Sequence, residues 1–408
     1  MADQPALAAH LQHGKQLLQE LPKVAQHSDR VLSVLGMNPA AYSLQGTNCY
    51  LIGQGTERLL LDTGEGRPEF LQNLLQVLRR EACKITNVVL THSHVDHIGG
   101  LPGLLQAFPD LLLWRCRPPS QGLSFGRLGT AEDATDPTLT LGMCGTNVKL
   151  LQDGDIIRTK GATLRALHTP GHAIDHLCFW LEEEQALFTG DHILGTGTVI
   201  VDDLNAYLSS LQRLSDLKPF RIYPGHGPML EGPTALNRPG EYIQHRQQRL
   251  KRALELLESS GSQALEQLLR GVYGSSLPSD AFLQHAARRN LEASLEKLET
   301  DGLARRLVGK WTSTRKLPAS GYGTTSISLR GLLQRARPRW TEKDVAAAEA
   351  KLRANISDSK MLLDQLQRDE LNQHLRSAGF RVFTADTLEA LRQAGLGSLE
   401  AKPENERS

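Results

Sequence analysis

The sequence lacks the marks of a membrane protein and of a secreted protein. No stretch approaches the roughly 20 consecutive apolar residues that a membrane-spanning helix needs. The first 30 residues carry Asp3, Glu20 and Asp29, contain no apolar signal-peptide core and are poor in arginine. We therefore expect no membrane partner and a cytoplasmic protein, with the mitochondrial matrix as the alternative.

Cysteine is scarce, and net charge is almost absent. Five cysteines occur in 408 residues, and no two of them form a C-x-x-C pair. The odd count and the missing pair argue against a disulfide framework and against a four-cysteine zinc site. A net charge of +1 points to no class of partner, whereas 40% hydrophobic and 22% charged residues are typical of a folded, soluble protein.

The order of the predicted elements indicates an α/β core followed by helices. Short apolar runs predict strands, namely VLSVLG, NCYLIG, RLLLDTG, NVVLTH, NVKLL, ATLRALHT, HLCFWL, ALFTGD and FRIYPGHG. Helices are predicted at 9–26, 67–80, 99–108, 203–217, 240–259, 262–270 and 280–301, with a loop at 117–140. We expect a domain over 1–235, a helical module over 236–312, and a basic linker with a charged helical extension over 313–408.

Histidines are concentrated in one part of the chain. Of fourteen histidines, eight lie between His92 and His226. Most belong to four motifs: THSHVDHIGG at 91–100, TPGHAIDH at 169–176, TGDHILG at 189–195 and YPGHGP at 223–228. Loops at strand ends are where a rigid scaffold places site residues. Neutral imidazole and carboxylate are ligands that suit zinc and similar divalent metals.

These motifs predict a site for two divalent ions, which we expect to be zinc. The candidate ligands are His92, His94, Asp96, His97, His172, Asp191 and His226. His92 and His94 can reach one ion, while Asp96 and His97 can reach the second ion beside it. His172 would complete the first site and His226 the second, and Asp191 would bridge both because a carboxylate has two oxygens. Ions about 3.5–4 Å apart can share a hydroxide and stabilise attacking and leaving oxygens together.

The order and spacing of these residues resemble the metallo-β-lactamase superfamily. Over residues 28–312, with LQGTNCYLIG at 44–53, the chain resembles the endoribonuclease branch close to glyoxalase II. The resemblance implies an αββα four-layer sandwich of the α/β class and a C-terminal winged-helix-like helical module. The further helical extension lies outside the residues that the resemblance covers. The resemblance also implies that Thr47 and Asn48 face the substrate.

Three functions remain open at this point. The first is cleavage of single-stranded RNA by a bridging hydroxide, the alternative is glyoxalase II-like thioester hydrolysis, and the third is a non-catalytic, metal-dependent RNA-binding module. From Arg305 to Trp340 the chain has nine basic residues, no acidic residue and three interleaved aromatics, which favours RNA over a plain linker. Arg246 and Arg249 share one helix face and are candidate phosphate contacts, or part of a solvated face.

Individual roles follow from the chemistry of each side chain. Asp96 is expected to hold the second metal and to orient the hydroxide or accept its proton. His176 is a candidate to contact the phosphate or protonate the leaving group, or else a structural histidine. Asp62 is expected to orient a ligand histidine through its free ring nitrogen. The partners would be single-stranded RNA, or a small-molecule thioester, and the oligomeric state is left open.

Overall fold

A computed structural model describes residues 12–13, 16–117, 147–307 and 309–314, and short stretches between 333 and 391. The chain divides into two compact units between Ala304 and Arg305. The predicted loop at 117–140 lies outside the described residues except for its first position. Among the helices described, none is long and apolar enough to cross a membrane.

The first large sheet runs in chain order and is half antiparallel and half parallel. Its strands, in the described residues, are β3 Val24–Gln26, β4 Val31–Leu35, β5 Asn48–Ile52, β6 Glu57–Leu61, β7 Lys84–Val89, β8 Leu112–Cys116 and β9 Val148–Leu151. Neighbours from β3 to β6 are antiparallel, and those from β6 to β9 are parallel. Helices supply the crossovers that parallel strands require: α1 Pro68–Arg80, and α2 Val95–Ile98 with α3 Leu101–Ala107.

The second large sheet is antiparallel except for one pair. Its strands are β10 Ile156–Thr159, β11 Ala162–His168, β12 Leu177–Leu181, β13 Ala186–Gly190, β14 Arg221–Pro224 and β15 Leu230–Glu231. Strands β13 and β14 are parallel, and α4, Leu204–Asp216, connects them. The nine predicted strands are therefore all present, and β8, β10 and β15 are strands that the sequence patterns did not predict.

Alternating side chains place the two sheets face to face. In β5, Tyr50 and Ile52 join a core that also contains Phe179 and Phe188 from the second sheet. Cys49, on the opposite face of β5, joins a core with α1 and α3. The outer face of the second sheet packs against α4 and against α5, Pro233–Ser260. This arrangement confirms the predicted αββα four-layer sandwich.

A helical segment follows the sandwich, as the sequence predicts. It contains α5, α6 (Leu265–Tyr273) and α7 (Ala281–Thr300). Helix α5 begins at Pro233, where a proline costs no hydrogen bond, and it therefore starts seven residues before the predicted helix at 240–259. The limits of the helical module at 236–312 and its winged-helix-like character stay predictions.

The predicted helix at 9–26 is wrong. Strands β1 Gln12–His13 and β2 Gln16–Leu17 pair with each other, and β3 is the edge strand of the first sheet. Val24 pairs with Val34 of β4 and packs on the core beneath α1, so tertiary pairing outweighs the helical spacing of the leucines.

The second unit has its own apolar cluster. The second unit begins within strand β16, Ala304–Leu307, whose neighbour is β17, Lys310–Ser313, and α8 spans Glu342–Arg353. Val345 and Leu352 of the predicted extension helix are buried in the cluster, and Trp340 packs against it. Trp311 is only 5% exposed, which removes one of the three aromatics from the surface that RNA stacking would need.

Candidate metal centre

The seven candidate ligands converge at one edge of the sandwich. His92 follows β7, His172 follows β11, Asp191 follows β13 directly and His226 follows β14. The one-turn helix α2 turns the end of the first motif back toward the others, because residues one apart on a helix point in different directions. The structure therefore brings together two groups, His92, His94, His172 and Asp191, and Asp96, His97, Asp191 and His226.

Three imidazoles form the first group. His92 Nε2 lies 2.8 Å from His94 Nδ1 and 3.3 Å from His172 Nε2, and the latter two nitrogens are 3.0 Å apart. Three nitrogens that each bind one tetrahedral zinc at about 2.0–2.1 Å would be roughly 3.3 Å apart. Burial and neighbouring imidazoles lower the pKa of His92 well below its usual value and that of His94 to about 3. His92 and His94 are therefore neutral, with lone pairs available to a cation.

Two carboxylates distinguish the second group. Asp191 Oδ1 lies 3.3 Å from His97 Nε2 and 3.2 Å from His226 Nε2, and Asp96 Oδ2 lies 3.1 Å from His226 Nε2. Burial lowers the pKa of His226, but the Asp191 and Asp96 carboxylates outweigh it and raise the pKa to about 10. Asp191 Oδ2 is 3.8 Å from His172 Nε2, so this one carboxylate faces both groups.

Buried atoms without hydrogen-bond partners test whether metals fit these groups. His97 Nε2, His226 Nε2 and Asp191 Oδ1 are buried, and none has a partner of hydrogen-bond geometry. Leaving such groups unsatisfied costs about 1–3 kcal/mol each, and more for charged groups. All three atoms belong to the second group and point into it. A divalent cation would satisfy them together, so the residues fit two such ions; the identity of the metal stays a prediction.

Surrounding groups hold the ligand histidines. Asp62 accepts hydrogen bonds from the backbone N–H and hydroxyl of Thr91, both at 2.8 Å, and lies 2.7 Å from His97 Nδ1. The expectation that Asp62 orients a ligand histidine is therefore confirmed. His172 Nδ1 donates to the carbonyl of Ile200 at 2.8 Å. These contacts fix which nitrogen faces the cation.

Glycine is required where backbone passes close to the ligands. A Cβ on Gly225 would lie 2.6 Å from Asp191 Oδ1. A Cβ on Gly190 would lie 2.8 Å from His176 Nε2, and Gly190 has a φ of +45°. Gly225 thus makes room for the Asp191 carboxylate, and Gly190 makes room for the His176 ring.

His176 lies behind the ligands. It is fully buried, its Nε2 accepts a hydrogen bond from the Asp191 backbone N–H at 3.2 Å, and its Nδ1 lies 3.0 Å from Thr169 Oγ1. Burial and neighbouring imidazoles lower its pKa well below the usual value. With both ring nitrogens engaged inside the protein, this geometry favours the structural role over proton donation to a leaving group.

Thr47 and Asn48 support the ligand loops. Thr47 Oγ1 donates to the Asp96 carbonyl at 2.9 Å, and Asn48 Nδ2 donates to the carbonyls of Pro224 and Gly227 at 3.0 and 2.8 Å. Thr47 is fully buried and Asn48 is 6% exposed. Substrate contact by these side chains stays a prediction, whereas their contacts to the ligand loops are observed.

Arg246 and Arg249 of α5 are both engaged inside the protein. Arg246 is 4% exposed, and its Nη2 donates to the Val199 carbonyl at 2.7 Å. The Arg249 guanidinium carbon lies 3.8 Å from the centre of the Tyr273 ring. Because Arg246 is almost fully buried, the geometry favours a structural role for this arginine over a phosphate contact.

An aromatic pair near the metal centre was missed from the sequence. Tyr42 is 42% exposed, donates to Glu65 at 2.8 Å, and its ring centre lies 5.8 Å from that of Phe282 at the start of α7. Burial, the hydrogen-bonded Glu65 and the Asp96 carboxylate raise the pKa of Tyr42. No motif marks these two residues, because they are 240 positions apart and only the fold brings them together.

Comparisons with known proteins extend this picture. The family model described as Metallo-beta-lactamase superfamily matches residues 43–226. A lactamase-like protein of Aspergillus niger is 37% identical over 297 residues, which are 70% of this chain and 84% of that protein. An atrochrysone carboxyl ACP thioesterase of Aspergillus chevalieri is 37% identical over 275 residues, 64% of this chain and 79% of that protein.

Solved structures agree with the fold. A metallo-beta-lactamase family protein from Thermus thermophilus is similar with a TM-score of 0.52 and 26% identity, over 72% of this chain and 99% of that chain. The narrower resemblance to an endoribonuclease branch is not confirmed by these comparisons, in which the Aspergillus chevalieri protein and one from Aspergillus novofumigatus are named as thioesterases.

Proposed function

This chain belongs to the metallo-beta-lactamase superfamily and is a metal-dependent hydrolase, and on that premise we propose that it hydrolyses thioesters. The observation that carries the proposal is the 37% identity to the Aspergillus chevalieri thioesterase, 79% of which the chain covers. Its substrate class would be an acyl group joined to a thiol carrier. The thioester alternative thereby replaces RNA cleavage as the first choice.

The metal groups supply the first part of the chemistry. Two divalent ions held by the seven ligands would polarise a carbonyl oxygen and acidify a water molecule. Asp191 keeps the two groups together, and its backbone N–H is fixed by His176. Asp96, whose side chain is 12% exposed, is the residue of this site best placed to take a proton from the attacking water.

The leaving group also favours a thioester. A thiol has an ordinary pKa of about 8.5 and can depart as a thiolate. A sugar alkoxide is far more basic and needs a proton donor or a metal at the leaving oxygen. His176 was the predicted donor, yet both of its nitrogens are engaged by Thr169 and Asp191. A thioester therefore requires less of the residues at hand.

The rim of the site fits an apolar acyl group. Tyr42 and Phe282 present an aromatic pair beside the second group, and Ile174, two residues after ligand His172, is 37% exposed. Aromatic and aliphatic surface of this kind stabilises apolar groups through burial and ring stacking.

The decisive test follows thiol release from aryl and alkyl thioesters of N-acetylcysteamine and glutathione. The assay compares the zinc-loaded protein, the protein with excess chelator, and Asp191→Ala. End-labelled single-stranded RNA is incubated with the same preparations. We expect chelator-sensitive thiol release that is lost in Asp191→Ala, and uncut RNA. Chelator-sensitive RNA cleavage without thiol release would reject the proposal and restore the endoribonuclease interpretation.

A further inference from the structure

We propose that Asn290 and Arg246 are positioning residues, by which the helical segment sets the orientation of ligand His172 and the metal affinity of the first group. The inference depends on the metal centre and not on which substrate is hydrolysed. Its starting point is the His172 ring, whose Nε2 faces the first group and whose Nδ1 donates to the Ile200 carbonyl at 2.8 Å. The direction of that carbonyl therefore determines the direction of the ring.

Ile200 lies in a connection without regular structure. Residues 196–203, between β13 and α4, form neither helix nor strand. A carbonyl in such a segment has no ladder of hydrogen bonds to hold it. Its orientation must come from side chains or from backbone elsewhere in the protein.

Asn290 of α7 supplies that support on both sides of Ile200. Its Nδ2 donates to the Val199 carbonyl at 3.0 Å, and its Oδ1 accepts from the Val201 N–H at 3.0 Å. One side-chain amide thus pairs with the segment as a neighbouring strand would. The carbonyl of Ile200 then points away from Asn290, toward His172.

Arg246 of α5 holds the same backbone segment. Its Nη2 donates to the Val199 carbonyl at 2.7 Å, and its guanidinium lies 5.4 Å from the centre of the Tyr207 ring. Among the described residues it forms no ion pair with a carboxylate, although it is only 4% exposed. Burial of a charge against a neutral carbonyl is costly, which suggests that the contact serves more than packing.

The backbone on the other side of His172 closes the arrangement. The N–H groups of Asp202 and Asp203 donate to the Gly171 carbonyl at 2.8 and 3.0 Å. The segment therefore contacts His172 through its ring and through the residue before it. A small displacement of α5 or α7 would be transmitted to the first group while leaving the second group in place.

The test measures metal binding rather than turnover. Zinc is titrated against a chromophoric chelator into the full chain, and the absorption spectrum of the cobalt(II)-loaded protein is recorded. The variants are Asn290→Ala, Arg246→Met and the double variant. His94→Ala provides the spectrum of a chain that lacks a first-group ligand. Lys297→Met is the matched control, because the Lys297 ammonium donates to Asn205 at 2.8 Å and pairs with Asp301, not with residues 196–203.

We expect Asn290→Ala to lower the affinity for one of the two zinc ions by roughly 10- to 100-fold, the usual effect of removing support from a metal ligand. Its cobalt spectrum should approach that of His94→Ala, and the double variant should lose less than the sum of the single losses because both side chains bind Val199. Lys297→Met should bind both ions as the native chain does. Unchanged affinities, equal weakening of both ions, or the same loss in Lys297→Met would each overturn the proposal. If Asn290→Ala does not fold, Arg246→Met decides the question alone.

Discussion

Asp62 offers the sharpest test of the centre, because a single carboxylate holds the strand end and a ligand together. It accepts two hydrogen bonds from Thr91 and contacts His97 Nδ1 at 2.7 Å, while only 2% exposed. Asp62→Asn keeps the size of the side chain but removes the charge and replaces one acceptor by a donor. One of the three contacts must then be lost.

The expected magnitude follows from those contacts. Loss of a hydrogen bond to a buried charged group costs about 1.5–3 kcal/mol of unfolding free energy. Removal of support from a ligand histidine lowers metal affinity roughly 10- to 100-fold, which corresponds to about 1.4–2.7 kcal/mol. Since His97 belongs to the second group, the loss should fall on one ion only.

The backbone conformation of Asp62 allows the loss of its charge to be distinguished from backbone strain by comparing two variants. Asp62 has a φ of +59°, which asparagine tolerates and alanine does not. The free energy of unfolding of Asp62→Ala should therefore be about 1–2 kcal/mol lower than that of Asp62→Asn. Urea denaturation in excess chelator measures stability, and zinc competition measures affinity. Asp155→Asn is the control, because the exposed Asp155 side chain accepts a hydrogen bond from the Gln152 N–H. Full zinc affinity in Asp62→Asn would refute this account of His97.

Three further predictions address the site, its rim and the helical segment. Gly225→Ala places a Cβ 2.6 Å from Asp191 Oδ1, so the purified variant should retain fewer than two zinc ions by elemental analysis. Burial and neighbouring arginines lower the pKa of His245 to about 4. In the unfolded chain this histidine has a pKa of about 6.5, so the unfolded chain binds the proton first as the pH falls. The free energy of unfolding should therefore decrease from pH 6.5 to 4, and it should decrease less in His245→Gln. Phe282→Ala should raise KM for aryl thioesters by about 2- to 10-fold, because it removes one aromatic contact to the aryl group beside Tyr42. It should have little effect on KM for an acetyl thioester.

Each of these has a result that would contradict it. Two tightly bound zinc ions in Gly225→Ala would mean that the bridging carboxylate adapts to the added carbon. Parallel stability curves for the native chain and His245→Gln, measured by urea denaturation in excess chelator, would mean that the histidine is protonated in the folded state. An equal rise in KM for acetyl and aryl thioesters would mean that Phe282 shapes the site in general rather than binding the acyl group.

The metal ligands could be predicted from the sequence because each lies next to a strong local signal. An apolar strand ends, a glycine turn follows, and a histidine or aspartate stands beside it, as at His92, His172 and Asp191. Most strands of the two sheets were predictable because they are buried and give apolar runs, whereas β3, β8, β10 and β15 were not predicted. The terminal segment at 9–26 was not predictable, because the pairing of Val24 with β4 depends on a partner that local spacing does not reveal.

The supporting contacts escaped prediction for a different physical reason. The Ile200 carbonyl that holds His172 is a backbone group, present at every position, and it therefore leaves no mark in the sequence. The side chains that fix it come from 89 to 91 positions away for Asn290 and 47 positions away for Arg246. In Arg246 the sequence suggested a phosphate contact, since basic residues at helical spacing usually face solvent. A buried arginine and an exposed one have the same spacing, and only the packing of α5 against α4 and α7 distinguishes them. Asn290 and Arg246 both donate to the Val199 carbonyl, so we expect the helical segment to act on catalysis through the metal centre. Its variants should alter metal occupancy before they alter substrate affinity.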